Sequence, residues 1–190
     1  MRSTTLIAIV LASVPAFAQE EYSKQDVTVQ ALGSFTKSTT DKGVEQKASN
    51  SGGVLATYRY FFNKNNGAEV NYAWTNNTQS YAGLGVGTNT NEVSAAYVFR
   101  MPLKHFTPFV LAGAGGLIFS PHDFVSASTQ TRAAFVYGGG ADFNVSSHVF
   151  VRAEYRGLVY NSPTYDVTAF QGSDRITHRA EPSVGFGYRF

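Results

Sequence analysis

From Val27 to Phe190 the chain repeatedly alternates apolar and polar residues with a period of two, the pattern of a strand with one apolar face. Eight such runs occur. The first, VTVQALGSFTKS, puts Val27, Val29, Ala31 and Phe35 on that face. GVLATYRYFF gives Val54, Ala56, Tyr58, Tyr60 and Phe62; AEVNYAWT gives Ala68, Val70, Tyr72 and Trp74; EVSAAYVFR gives Val93, Ala95, Tyr97 and Phe99. In the fifth run, TPFVLAGAGGLIF, the alternation is blurred, and its large residues Phe109, Leu111, Leu117 and Phe119 are assigned to the apolar face. RAAFVYGGGADF gives Ala133, Phe135, Tyr137, Ala141 and Phe143, and VFVRAEYRGLV gives Val149, Val151, Ala153, Tyr155 and Val159. The last run, HRAEPSVGFGYRF, gives Ala180, Val184, Phe186, Tyr188 and Phe190.

The opposite face of these runs is polar or small. It carries Thr28, Gln30, Ser34, Thr57, Asn71, Ser94, Gly138, Gly140 and Ser183, together with most of the charges, while Leu32, Leu55, Val98, Val136 and Leu158 break the rule. Connections alternate in length. NKNNG (63–67), MPLKH (101–105) and NVSSH (144–148) are short and turn-like, whereas roughly 39–52, 76–90, 120–130 and 161–176 read as long polar loops. An even number of strands with this asymmetry puts both chain ends beside the short turns.

Alternation alone does not say whether the apolar face points inward, as in a soluble lipocalin-type barrel, or outward to lipid. Volume decides. The lumen of an eight-stranded barrel is just wide enough for side chains to fill or to hold one small ligand. Tyr58, Tyr60, Tyr72, Trp74, Tyr97, Phe99, Phe109, Phe119, Phe135, Tyr137, Tyr155, Phe186 and their like would overfill it. The polar face fits better, and its charges nearly balance. Arg59, Arg132, Arg152, Arg156 and Arg179 are set to pair with Glu69, Glu92, Asp142, Glu154 and Glu181 as an interior charge network, since an unpaired buried charge costs several kcal/mol. That network reads either as a salt-bridged core or as the lining of a narrow water path. Tyr60, Phe62, Phe99, Phe143, Tyr188 and Phe190 beside the short turns form the aromatic girdle expected where lipid meets water.

The first 18 residues stand apart. Arg2, the apolar stretch LIAIVLASV and Ala16-Phe17-Ala18 read as a signal peptide cleaved after Ala18, with Ala16 and Ala18 at the cleavage site. The apolar stretch is too short for a membrane helix, which needs roughly 20 residues. Residues 19–190 then form one barrel domain. Export permits disulfides, yet the chain has no Cys, so other forces must stabilise it. With 15 basic and 13 acidic residues, a formal +2, charge gives no argument for nucleic acid.

With the signal peptide, eight runs, loop asymmetry and TPFVLAGAGG at the fifth strand, the chain resembles the small eight-stranded outer-membrane barrels of Gram-negative bacteria, the OmpA-type transmembrane β-barrel domain. The resemblance implies an all-β, eight-stranded antiparallel up-and-down barrel with a polar interior, integral to the outer membrane with both termini periplasmic. It also implies that Ser183, Gly185, Tyr188 and Phe190 match the polar-x-Gly-x-x-aromatic-x-aromatic signal read by the barrel-assembly machinery. Outer-membrane lipids and lipopolysaccharide would be its surroundings, and the loops would meet any external ligand. Full-length OmpA carries a periplasmic peptidoglycan-binding domain, whereas nothing follows Phe190 in this sequence, so anchoring through such a domain is not expected.

Candidate chemistry is sparse. Some small outer-membrane barrels modify lipid A, but G-x-S-x-G and a His-x-Ser deacylase-like arrangement are both missing. His105 and His148 fall in short turns and His122 in a long loop; all three read as solvated. His178 and Glu181 are three residues apart in a strand, hence on opposite faces and unsuited to act as an acid/base pair. No His pair has metal-ligand spacing, and GLGVG (83–87) and GAGG (113–116) lack the helix and Gly-Lys-Ser/Thr of a phosphate loop. No cofactor, metal or enzymatic activity is expected. The leading expectation is a structural, surface-interacting barrel; a narrow porin-like channel is the alternative, and a lipid-modifying enzyme comes last.

Overall fold

A computed structural model of the chain describes residues 23–36, 39–41, 44–48, 50–81, 84–121, 129–161 and 176–190. The signal peptide, Ala16, Ala18 and His122 lie outside the described residues. The described residues form ten antiparallel strands: β1 (Gln25–Thr36), β2 (Thr39–Asp41), β3 (Val44–Ala48), β4 (Ser51–Phe61), β5 (Asn66–Tyr81), β6 (Leu84–Arg100), β7 (Phe106–Pro121), β8 (Gln130–Asn144), β9 (Val149–Asn161) and β10 (Ile176–Arg189). Eight of them close into a barrel in the order β4-β1-β10-β9-β8-β7-β6-β5, with β5 returning to β4. Strands β2 and β3 form a hairpin that adds to the far end of β5 through Gln46–Tyr81, Lys47–Ser80 and Ala48–Gln79. Closure matters in lipid, because every backbone amide and carbonyl must find a partner where no water reaches.

Local chemistry sets the turns. Asn63 Oδ1 accepts hydrogen bonds from the Asn65 and Asn66 amides at 3.0 and 2.9 Å, fixing the β4–β5 turn. Ser146 Oγ does the same for Val149 N at 3.0 Å in the β8–β9 turn. The start of β1 and the end of β10 lie at this end of the barrel: Phe61 N donates to Lys24 O at 2.7 Å and Phe190 N to Gln25 O at 3.1 Å.

Two of the expected loops are different. The stretch 76–90 is chiefly strand: β5 and β6 stay paired from Asn66–Phe99 to Tyr81–Leu84, leaving only 82–83 between them. The stretch 39–52 holds β2, β3 and the start of β4. Both are rich in Thr, Asn, Ser and Gly. Beyond the lipid a strand has no need of an apolar face, so the alternation that marks the other strands vanishes there and only a loop-like composition remains.

Facing follows the alternation in seven of the eight barrel strands. In β1, for example, Val27, Val29, Ala31 and Phe35 are exposed while Asp26, Thr28, Gln30, Leu32 and Ser34 are buried. Strand β7 is the exception. Phe109, Leu111, Leu117 and Phe119, assigned above to the lipid face, are buried in the lumen, and Val110, Ala112 and Ala114 face outward instead. Both faces of this strand are apolar, so size misled the assignment. The lumen here has room for rings because the neighbouring strands are small: Ser94 and Ala96 on β6, Gly138 and Gly140 on β8. The eight-stranded closure also has one interruption. Strands β1 and β10 pair from Asp26–Arg189 to Leu32–Ser183 and again at Phe35–Ala180 and Thr36–Arg179, skipping Gly33 and Ser34 opposite Pro182 and Glu181.

Candidate functional site

The lumen is lined by every even residue of β1, β6, β8 and β9 and every odd residue of β4, β5, β7 and β10 whose side chain is described and buried. Its centre is ionic. Arg152 bonds Asp142 through Nε at 2.6 Å and Nη2 at 2.9 Å, and reaches Asp26 at 3.3 Å. Arg59 Nε donates to Glu69 at 2.6 Å, while its Nη2 lies 3.7 Å from Glu154. Glu69 also accepts from Asn71 at 2.8 Å, and Thr57 donates to Asn71 Oδ1 at 2.7 Å. A second group lies closer to the loop end. Arg156 bridges Glu92 at 3.0 Å and Glu181 at 2.6 Å; Arg179 Nε lies 2.9 Å from Glu181, and its Nη2 donates to Thr75 at 2.7 Å. Glu92 is held in turn by Ser94 Oγ at 2.9 Å. Charge-assisted, often bidentate bonds of this kind are the strong class of hydrogen bond, and they satisfy carboxylates that water does not reach.

Arg132 is half-buried near the start of β8 and bonds Gln130 Oε1 at 3.4 Å. Three further charges join the lumen that the sequence reading left out: Asp26, Arg100 and Arg189. Asp26 is in phase with Thr28 and Gln30, so its parity carried the signal. Arg100 donates to the backbone carbonyls of Lys64 at 3.0 Å and Ser23 at 3.1 Å, at the short-turn end of the barrel. Arg189 Nη2 lies 3.2 Å from Asp142.

The lumen also contains rings, two of which, Phe61 and Phe150, are in phase with Arg59 and Arg152 on the polar face. Phe61, Phe109 and Phe150 are buried and lie under guanidinium groups. Arg100 sits 3.3 Å above the Phe61 ring, Arg59 4.0 Å above Phe109 and Arg189 4.2 Å above Phe150, while Arg152 is 5.1 Å from both Phe109 and Phe150. Each such contact contributes about 0.5–2 kcal/mol, more when water is excluded. Gly187 makes room for Phe150: a Cβ there would lie 2.2 Å from the ring. In the loop half of the lumen apolar side chains stand level with the second group of charges, Leu32, Leu55 and Ala73 on one side and Leu117, Phe119, Ala134, Val136, Leu158 and Tyr160 on the other.

The outward face is a band of aromatic and aliphatic side chains. Beside the short turns the rings cluster: Tyr60 meets Phe62 edge-on at 5.8 Å, Phe106 stacks on Phe143 at 6.4 Å, and Tyr188 stacks on Phe190 at 6.2 Å. His148 stacks on Tyr188 at 5.7 Å, and its Nδ1 lies 2.9 Å from Ser147 Oγ. No carboxylate contacts His148 among the described residues, so this Ser–His contact lacks the third group that orients a catalytic base. Also among them, no three His, Asp or Glu are grouped to hold a metal ion. His178 points outward and Glu181 inward; the partner of His178 is Tyr137, whose Oη lies 2.8 Å from Nε2. Of the terminal signal positions, Ser183 and Gly185 line the lumen, while Tyr188 and Phe190 face outward.

The sequence profile of one family, the outer membrane protein β-barrel domain, matches residues 4–190. No protein with a curated description matches the chain in sequence. Solved structures do match in fold. The attachment invasion locus protein Ail of Yersinia pestis is 24% identical with a TM-score of 0.56, over 88% of this chain and 99% of that one. Neisserial surface protein A is 15% identical with a TM-score of 0.66, over 88% and 98%. OprG from Pseudomonas aeruginosa is 16% identical with a TM-score of 0.63, over 88% and 96%.

Proposed function

Because this chain belongs to the family of outer membrane protein β-barrel domains, we propose that it serves the outer membrane as a non-enzymatic, non-conducting barrel that meets the surroundings through its long connections. The observation that supports this is the filled lumen. Ion pairs between Arg152, Asp142 and Asp26, and between Arg156, Glu92 and Glu181, span it; Phe61, Phe109 and Phe150 pack against the arginines; and apolar side chains from Leu32 to Tyr160 share its loop half with the second group of charges. A lumen this full stabilises a barrel and leaves recognition to what projects from it. In this reading the termini and short turns lie in the periplasm, and the β2–β3 hairpin and the extended β5–β6 hairpin project outside the cell. Ser183, Gly185, Tyr188 and Phe190 serve as the signal to the barrel-assembly machinery, with the two aromatics presented on the outer wall where a receptor reaches them.

Planar-bilayer recording of the purified protein tests the central claim. The expected result is no stable conductance step; a reproducible, solute-selective step overturns it. The alternative of a narrow channel draws on one observation, that charged side chains follow one another through much of the lumen, from Arg152 through Glu154 and Arg59 to Arg156 and Arg179. Incubation with lipopolysaccharide followed by mass spectrometry tests the absence of enzymatic activity, with an unchanged acylation pattern expected.

A further inference from the structure

We propose that the outward face of β8, β9 and β10 carries a site for a phosphorylated lipid headgroup, the lipid A phosphate of lipopolysaccharide, with His178 as the proton donor and Tyr137 as the residue that orients it. The lipid identity rests on the reading that the loop end faces outside the cell.

Four residues lie side by side across neighbouring strands: Tyr137 opposite Gly157, Gly157 opposite Ala180, and Ala180 opposite Phe35. Their sizes run large, small, small, large. Tyr137 uses the first gap. Its ring lies flat over Gly157, where a Cβ would meet Tyr137 Cζ at 2.6 Å and Oη at 2.8 Å. By crossing β9 in this way the phenol reaches His178 on β10, with Oη 2.8 Å from Nε2 and ring centroids 6.0 Å apart. When Tyr137 donates to Nε2, the neutral imidazole holds its proton on Nδ1 and offers it away from the phenol. At the second small position Ala180 lies opposite Phe35, so the wall beside the pair is apolar, as an acyl chain requires.

Placement on the wall is the independent observation. Among residues whose side chains are described, His178 is the one Asp, Glu, Lys, Arg or His on the outward face of the eight barrel strands. A titratable group in the hydrocarbon core is expensive, so its height matters. Ten residues separate it from Tyr188 in the girdle beside the short turns. At a rise of about 3.4 Å per residue and a strand tilt of about 40°, that distance is about 26 Å along the membrane normal. The apolar band of such barrels is about 25 Å tall. His178 therefore stands where the hydrocarbon ends and the headgroups of the loop-side leaflet begin. In a Gram-negative outer membrane that leaflet is built of lipopolysaccharide, whose lipid A places phosphate next to acyl chains. An imidazole N–H to a phosphate oxygen is a charge-assisted hydrogen bond.

Native mass spectrometry of the full mature barrel, released from nanodiscs, provides the test. Nanodiscs are loaded with bisphosphorylated lipid A, dephosphorylated lipid A or phosphatidylglycerol. Wild type is expected to retain bisphosphorylated lipid A about tenfold better than His178→Phe or Tyr137→Phe, the ratio that one lost charge-assisted hydrogen bond produces. It is also expected to retain it in preference to the other two lipids. Equal retention by wild type and both variants overturns the proposal, as does equal retention of dephosphorylated lipid A or of phosphatidylglycerol by wild type. The two lipid controls need no variant to fold, and both faces of a nanodisc are open. Failure here therefore leaves the surface-interaction reading standing, and failure of that reading leaves the in vitro preference intact.

Discussion

Arg152 holds Asp142 and Asp26 together in a lumen where none of the three is exposed, and it lies against two rings as well. Removing one member of a buried ion pair leaves the other charge stranded, which costs about 3–5 kcal/mol. Arg152→Met should therefore destabilise the barrel by about that amount in reversible unfolding from lipid, and adding Asp142→Asn should recover part of the loss. Arg189, 3.2 Å from Asp142, limits the damage. Gly187→Leu tests the opposite error, excess volume. With a Cβ 2.2 Å from the Phe150 ring, the ring must leave its place between Arg189 and Arg152. Overpacking of this kind costs about 1–3 kcal/mol, read as a lower unfolding midpoint than Gly187→Ala gives. At this scale the sequence showed which charges share a face, since parity alone groups Arg59, Glu69, Arg152 and Glu154. Parity also puts Phe61 with Arg59 and Phe150 with Arg152; it did not show Phe109, because a ring that stacks on a guanidinium carries the same letter as one that faces lipid.

Strand β7 shows how an element is misread when both of its faces are apolar. The rule that large side chains face lipid holds where the lumen is already full; along β7 the lumen is widened by Ser94, Ala96, Gly138 and Gly140, and Phe109, Leu111, Leu117 and Phe119 fill it. A fluorophore on a cysteine at Val110 should be quenched by brominated lipid, and one at Leu111 should not; the reverse would restore the outward assignment. Strand β9 is the control, because alternation and structure agree on its facing. Ala153 is exposed there between Val151 and Tyr155. Ala153→Arg is expected to cost about 2–4 kcal/mol in the same unfolding assay. The β5–β6 hairpin teaches a related lesson: where strands leave the lipid, the periodic signal ends although the hydrogen-bonded ladder continues to Tyr81–Leu84.

For the whole molecule, closure takes the place of the disulfides the chain lacks. Each barrel strand is bonded on both sides, and the lumen ties distant strands together, as Arg156 of β9 does to Glu92 of β6 and Glu181 of β10. Such a body should resist detergent. Unboiled protein is expected to migrate differently from boiled protein on a denaturing gel, and Arg152→Met should lower the temperature at which the two forms interconvert. The architecture was legible in the sequence because a lipid solvent imposes a strict period on every strand that crosses it. The contents of the lumen were less so, since they depend on which residues meet across the barrel.

The skipped pairs between β1 and β10 bear on how this ring would break. A closed band has no free end, so its resistance to being torn open is that of its poorest seam. Among the described pairings of the barrel, the seam between the first strand and the last is the one with an internal gap, lacking two rungs at Gly33 and Ser34 opposite Pro182 and Glu181. Pulled apart under load, the cylinder should split along this line, the rupture starting at the missing rungs and running both ways. A disulfide across the gap, from Gly33→Cys to Pro182→Cys, should act as a rivet and raise the force at which the first strand comes away.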